Sequence, residues 1–230
     1  MTTTSKTRQS RFTKTTTPAM PIPEVCRELM AQQRQRSAAV RMRIMQSNRL
    51  LACVAGSMGY HAKQDETERE KGIKAAGGLI DEIVAAHDRH EDHASPLRGL
   101  VIASQIGIEA LDRVVCDIEK VMENFTKKLP VKSWVQAPEQ NGFGLLSLAG
   151  VVGEAGDLSL YASPPKLWRR LGCAPYTKDG VTLMGSTWRF KQEGTLTAED
   201  WKDYGYSPRR RSFSYVIGEN LIKQMNTPYR

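Results

Sequence analysis

Ten positions, Leu97, Val101, Ser104, Ile108, Leu111, Val115, Ile118, Met122, Phe125 and Leu129, follow one another in steps of four and three without a break. Steps of that size return to one side of an α-helix, so these residues form a continuous stripe over about four heptads, the mark of a coiled-coil seam. A helix with such a stripe needs a second helix along its length. That partner is either the preceding part of the chain folded back as an antiparallel neighbour or the same helix in a second copy. Pro130 stops the helix directly after the stripe, because proline has no amide to donate and its ring clashes with the turn before it.

The preceding part suits the role. From Glu24 to Val54, Val25, Leu29, Val40, Ile44, Leu51 and Val54 recur at helical intervals, while Arg27, Arg34, Arg36, Arg41, Arg43 and Arg49 occupy other faces. Guanidinium groups form bidentate pairs with phosphate and keep their charge. They pair equally well with an acidic neighbour, and one is at hand. Residues 64–162 carry 10 Lys or Arg against 17 acids, whereas residues 1–63 carry 11 against 2 and residues 163–230 carry 12 against 6. Both ends are basic around an acidic middle, and a polyanion is drawn to the ends with a strong salt dependence.

Between these helices, a second helix is expected from Thr67 to His87, weakened by Gly72, Gly77 and Gly78. His87, His90 and His93 stand beside Asp88, Glu91 and Asp92. Steps of three and six spread such ligands around a helix instead of converging them, so no metal site is expected here. Residues 1–23 are Thr-rich, basic and nearly free of apolar side chains, the composition of a disordered tail. Cys26, Cys53, Cys116 and Cys173 form no Cys-x-x-Cys pair and no disulfide framework. No apolar run approaches the roughly 20 residues of a membrane span, and no signal-peptide core follows the basic N-terminus. A soluble cytoplasmic protein without cofactor or membrane partner is expected.

The run Gly142-Phe143-Gly144 opens directly onto an apolar, small-residue helix. Glycines there allow positive φ and leave backbone amides uncovered at a helix N-terminus, a place that favours an anion. A helix ended by Pro130, a hairpin of roughly ten residues, Gly-x-Gly and a second helix make the layout of a helix-hairpin-helix binder of the nucleic-acid backbone. The same run also serves as a plain glycine turn between two packed helices. Downstream, Gly156 closes this helix, Ser163 and Pro164 start another, and Gly172 ends it.

From Gly142 to Pro175 the chain resembles the transposase domain of bacterial insertion-sequence transposases of the Piv/MooV type, the DEDD recombinases guided by a bridge RNA. The resemblance rests on Gly142 to Gly144, Glu154 to Asp157, Tyr161, Ser163 to Leu167, and Gly172 to Pro175. It implies DNA or structured RNA as the partner, a bacterial or phage origin in the nucleoid, and oligomers assembled through the coiled coil. The family's chemistry needs four acids of an N-terminal RuvC-like domain around two Mg²⁺. That domain would precede residue 24, where only the tail is found, so no resident metal is expected. The family's serine nucleophile would stand where Asp179-Gly180 is found, with Ser186 and Ser207 as displaced alternatives. An aspartate cannot form the phosphoserine link. The expected protein therefore binds nucleic acid and is no enzyme by itself. An active recombinase subunit served by a separate nuclease domain, and a helical oligomerisation module without nucleic acid, are the alternatives.

Beyond Pro175, a hairpin with Asp179-Gly180 at its turn is expected in residues 176–191, where Arg189 and Lys191 alternate with Trp188 and Phe190. Ser207 and Pro208 then start a helix whose first turn holds Arg209, Arg210 and Arg211. Three cations at the positive end of a helix dipole repel it, so a compensating anion is expected: a phosphodiester, or else Glu193, Asp200 or Asp203. The nucleic-acid contacts expected are Gly142, Phe143, Gly144, Lys166, Arg169, Arg170, Arg189, Lys191, Arg209, Arg210 and Arg211. The expected fold is mainly α. Coiled-coil helices fill 24–130, and a small helix-hairpin-helix transposase-like domain with a short irregular or β insertion fills 131–230.

Overall fold

A computed structural model describes residues 20–61, 63–137, 142–178, 181–183 and 207–223. It is mainly α-helical. Its elements are α1 (Ile22–Ser57), α2 (Glu66–Asp88), α3 (Arg98–Thr126), α4 (Lys132–Val135), α5 (Leu145–Ala155), a 3-10 turn (Leu158–Leu160), α6 (Pro164–Arg170), β1 (Tyr176–Lys178), β2 (Val181–Leu183) and α7 (Pro208–Lys223). The two strands pair antiparallel, Tyr176 opposite Leu183 and Lys178 opposite Val181. No described helix is long and apolar enough to cross a membrane.

The stripe on α3 finds its partner within the chain. All ten stripe residues are buried or half-buried, and α1 lies antiparallel along them. Arg36 of α1 meets Glu119 of α3 at 2.6 Å, Arg43 meets Asp112 at 2.8 Å, and the Gln46 amide donates to the Ser104 carbonyl at 3.0 Å. Two of the α1 arginines thus serve the acidic middle of the chain, each exposed pair worth on the order of 0.2–1 kcal/mol. Arg27, Arg34, Arg41 and Arg49 stay exposed.

Two apolar cores clamp the ends of this pair. At one end Val25, Cys26 and Leu29 of α1 pack with Met122 of α3, Val135 of α4, and Leu148, Ala149 and Val152 of α5. At the other, Leu50 and Val54 of α1 pack with Ala76 and Ile83 of α2 and Val101 of α3. Between the cores only two helices meet, so one side of the middle is uncovered: Met42 is 57% exposed, Met45 50% and Val114 47%.

α2 runs through all three of its glycines. Gly72 is where it crosses Tyr60, whose ring occupies the space a Cβ would take, and Asp65 caps the helix by accepting from the Glu68 amide at 2.9 Å. The helix ends on His90, which adopts φ +58°. His90 N–H donates to the His87 carbonyl and Glu91 N–H to the Ala86 carbonyl, the paired bonds of a left-handed helix terminus that glycine fills most easily. His90→Gly is expected to raise stability by about 0.5–1 kcal/mol, read as a higher urea midpoint. The histidines accordingly do local work: His93 accepts from the Ser95 amide at 3.1 Å. No metal-holding cluster occurs among the described residues.

Candidate nucleic-acid interface

Between α3 and the glycine corner the sequence reading expects a bare hairpin, and the structure corrects this. Lys132–Val135 forms one turn of helix, α4, because Val135 reaches the core beside Leu129. Residues 138–141 lie outside the described residues. The corner follows. Gly142 takes φ +83°, the half-buried Phe143 packs against the α1/α3/α5 core, and Gly144 is extended and exposed. A Cβ built on Gly144 would meet nothing within 4 Å. Leu148 N–H is the first to find its helical acceptor, the Gly144 carbonyl at 3.1 Å, and Gly144 brings no side chain to cap the amides of Leu145, Leu146 and Ser147. The corner is therefore open to solvent and anchored from below by Phe143.

The other end of α5 is closed by charge. Glu154, 2% exposed, accepts from Gln33 of α1 at 3.0 Å and from the Arg209 guanidinium of α7 at 2.7 Å. Arg210 Nε lies 3.4 Å from the same carboxylate oxygen as Arg209. The phosphodiester expected at the α7 arginines is thus corrected: the anion that offsets Arg209 and Arg210 is Glu154. Of the three arginines only Arg209 is substantially exposed at its side chain, 46% against 20% for Arg210. Burial, and then Arg170 nearby, push the Arg210 guanidinium below its ordinary pKa, while Glu154 draws it back up. Arg211 donates to the Gly172 carbonyl at 3.3 Å. Glu193, Asp200 and Asp203 lie outside the described residues, as do Arg189, Lys191 and Ser186.

α6 carries the freer cations. Lys166, Arg169 and Arg170 are all exposed, while Leu167 and Leu171 turn inward. Tyr161 fixes the approach to this helix by donating to the Ala155 carbonyl at 2.7 Å. Asp157 accepts from the Ser159 amide and hydroxyl at 2.9 and 2.7 Å, and these bonds hold its carboxyl below the usual carboxylate range. The far end of α6 is tied to α7: Ser214 donates to the Leu171 carbonyl at 3.2 Å, and Gly172, at φ +76°, sits against Arg211 and Ser207. Ser207 caps α7 by accepting from the Arg210 amide at 3.4 Å, as its place before Pro208 implies.

The structure therefore splits the expected interface. The glycine corner and the arginine cluster occupy opposite ends of α5, roughly 15 Å apart at 1.5 Å per residue. Two residues gain a part the sequence reading did not assign. Glu154 was legible only as one letter of a motif, and Trp168, 55% exposed among the α6 cations, was read as part of a short helix. No protein-family model, curated protein or solved structure matches the chain.

Proposed function

We propose that this chain binds the sugar-phosphate backbone of nucleic acid, as a transposase-like DNA-binding protein. The amides at the Gly142–Gly144 corner receive one phosphate, and Lys166, Arg169 and Arg170 supply further cationic contacts. The observation that supports it most is the corner itself. It offers uncapped helix-terminal amides, a glycine with open space around it, and an aromatic anchor that keeps it from collapsing. Such a corner pairs with phosphate and sugar and carries no base readout, so sequence preference is not part of the reading. The net charge of +8 supplies long-range attraction. In the same reading, a second copy covers the apolar groove that Met42, Met45, Leu100 and Leu111 line between α1 and α3.

Substituting the α7 arginines would be a poor test, because acids placed against buried Glu154 unfold the site. Gly144→Asp is a clean one. The backbone there is extended, which any residue adopts, and an aspartate caps the helix end and complements its dipole. Stability should hold or rise by a few tenths of a kcal/mol. The new carboxylate takes the phosphate's place, so retention of a short duplex in a gel-shift series should fall roughly tenfold, and the salt slope should drop by about one contact. Undiminished retention by the folded variant would sink the proposal.

A further inference from the structure

A tryptophan on the surface is out of place unless something covers it, and α6 holds one among cations. Trp168 is 55% exposed on a helix of seven residues whose inward side is already made by Leu167 and Leu171. Lys166, Arg169 and Arg170 flank it, all exposed. The sequence carries no acid between Asp157 and Asp179, and Asp157 is engaged with Ser159. The platform is held in place at its far end, where Ser214 and Arg211 bond the Leu171 and Gly172 carbonyls. An indole with cations around it is built to stack a base while the cations hold the phosphates beside it. In continuous duplex both faces of each base are covered by its neighbours, so only an unpaired base can use the indole. A membrane surface is the poorer fit, since an interfacial helix needs a continuous apolar face, and α6 turns its leucines inward.

Resting on the backbone-binding reading above, we infer that Trp168 is a stacking platform for an unpaired base, which makes single-stranded or locally unpaired nucleic acid the preferred ligand over continuous duplex. The test measures fluorescence anisotropy of the full chain with labelled oligothymidylate, oligouridylate and a blunt mixed-sequence duplex, with phosphatidylserine vesicles as a fourth ligand. Trp168→Ala should weaken single-strand binding about 5- to 100-fold and change duplex binding by less than about twofold, while Trp168→Phe keeps most of the affinity. The DNA and RNA strands tell which backbone the platform accepts. Its exposure means that the thermal midpoint should not move. Equal loss on strand and duplex, or no loss on the strand, overturns the inference, as does vesicle binding that depends on Trp168 while the oligonucleotides are unaffected. Salt-sensitive duplex binding that needs Gly144 but not Trp168 overturns this inference alone. No retention of any oligonucleotide overturns both.

Discussion

Replacing Glu154 by alanine is expected to lower the unfolding free energy by about 2–3 kcal/mol. Removing one partner of a buried ion pair costs on the order of 3–5 kcal/mol, because the charge left behind has neither water nor counter-ion. Arg209 is nearly half exposed at its side chain and can turn to water, which reduces that figure. Arg210 cannot, since its side chain is only 20% exposed and faces Arg170 and Arg209 as well. Gln33 would lose the acceptor of its amide, while its own carbonyl oxygen already lacks a donor. The reverse experiment should be non-additive. Arg209→Ala or Arg210→Ala leaves Glu154 one guanidinium and should cost on the order of 1 kcal/mol each, whereas the double variant strands a carboxylate that is 2% exposed and should cost about 3–5 kcal/mol. Urea unfolding of the four variants measures this, and a neutral Glu154→Ala would show that the carboxylate holds nothing together.

That triad also shows what a sequence hides. The stripe on α3, the helix stops at Gly156 and Gly172, and the Ser207 cap were all legible, because each depends on neighbours within a turn or two. Both glycines take positive φ as helix ends require, at +87° and +76°. The need for an anion near Arg209 was also legible, since it follows from the dipole alone. Its identity was not: Glu154 is 55 residues away in sequence, and an acid in a small-residue helix gives no periodic sign that it will be buried. α4 escaped for a related reason. One turn of helix has no periodicity to read, and Val135 holds it by a long-range contact with the core. The glycines of α2 misled in the other direction, since propensity counts the cost of Gly72 but not the room it makes for Tyr60.

Gly153→Ala should destabilise the protein by about 1–2 kcal/mol, although the same change at Gly77 should stabilise it by as much as about 1 kcal/mol. In a helix interior alanine is favoured over glycine by close to 1 kcal/mol, and at Gly77 that gain is all there is, since a Cβ meets nothing within 4 Å. At Gly153 the Cβ would stand 2.5 Å from Gln33 Cβ, 2.8 Å from its Cγ and 3.2 Å from the Leu29 carbonyl oxygen. These are stem and backbone atoms of α1, which a rotamer change cannot clear. α1 is fixed in turn by Val25 and Leu29 in the core, so α1 and α5 must separate, at an overpacking cost of about 1–3 kcal/mol before the propensity gain is subtracted. Separation also stretches the Gln33–Glu154 hydrogen bond, which ties this substitution to the charged end of α5. Gly153→Val, with two further methyls in the same gap, should cost about 3 kcal/mol or more. Thermal and urea midpoints of the three variants, with Gly77→Ala as the internal control, decide it. An unchanged midpoint for Gly153→Ala would mean that α1 and α5 do not meet as closely as described. Gel shifts on the same proteins then separate seat from contact: a loosened α5 loses nucleic-acid retention together with stability, whereas Gly144→Asp loses retention while stability stands.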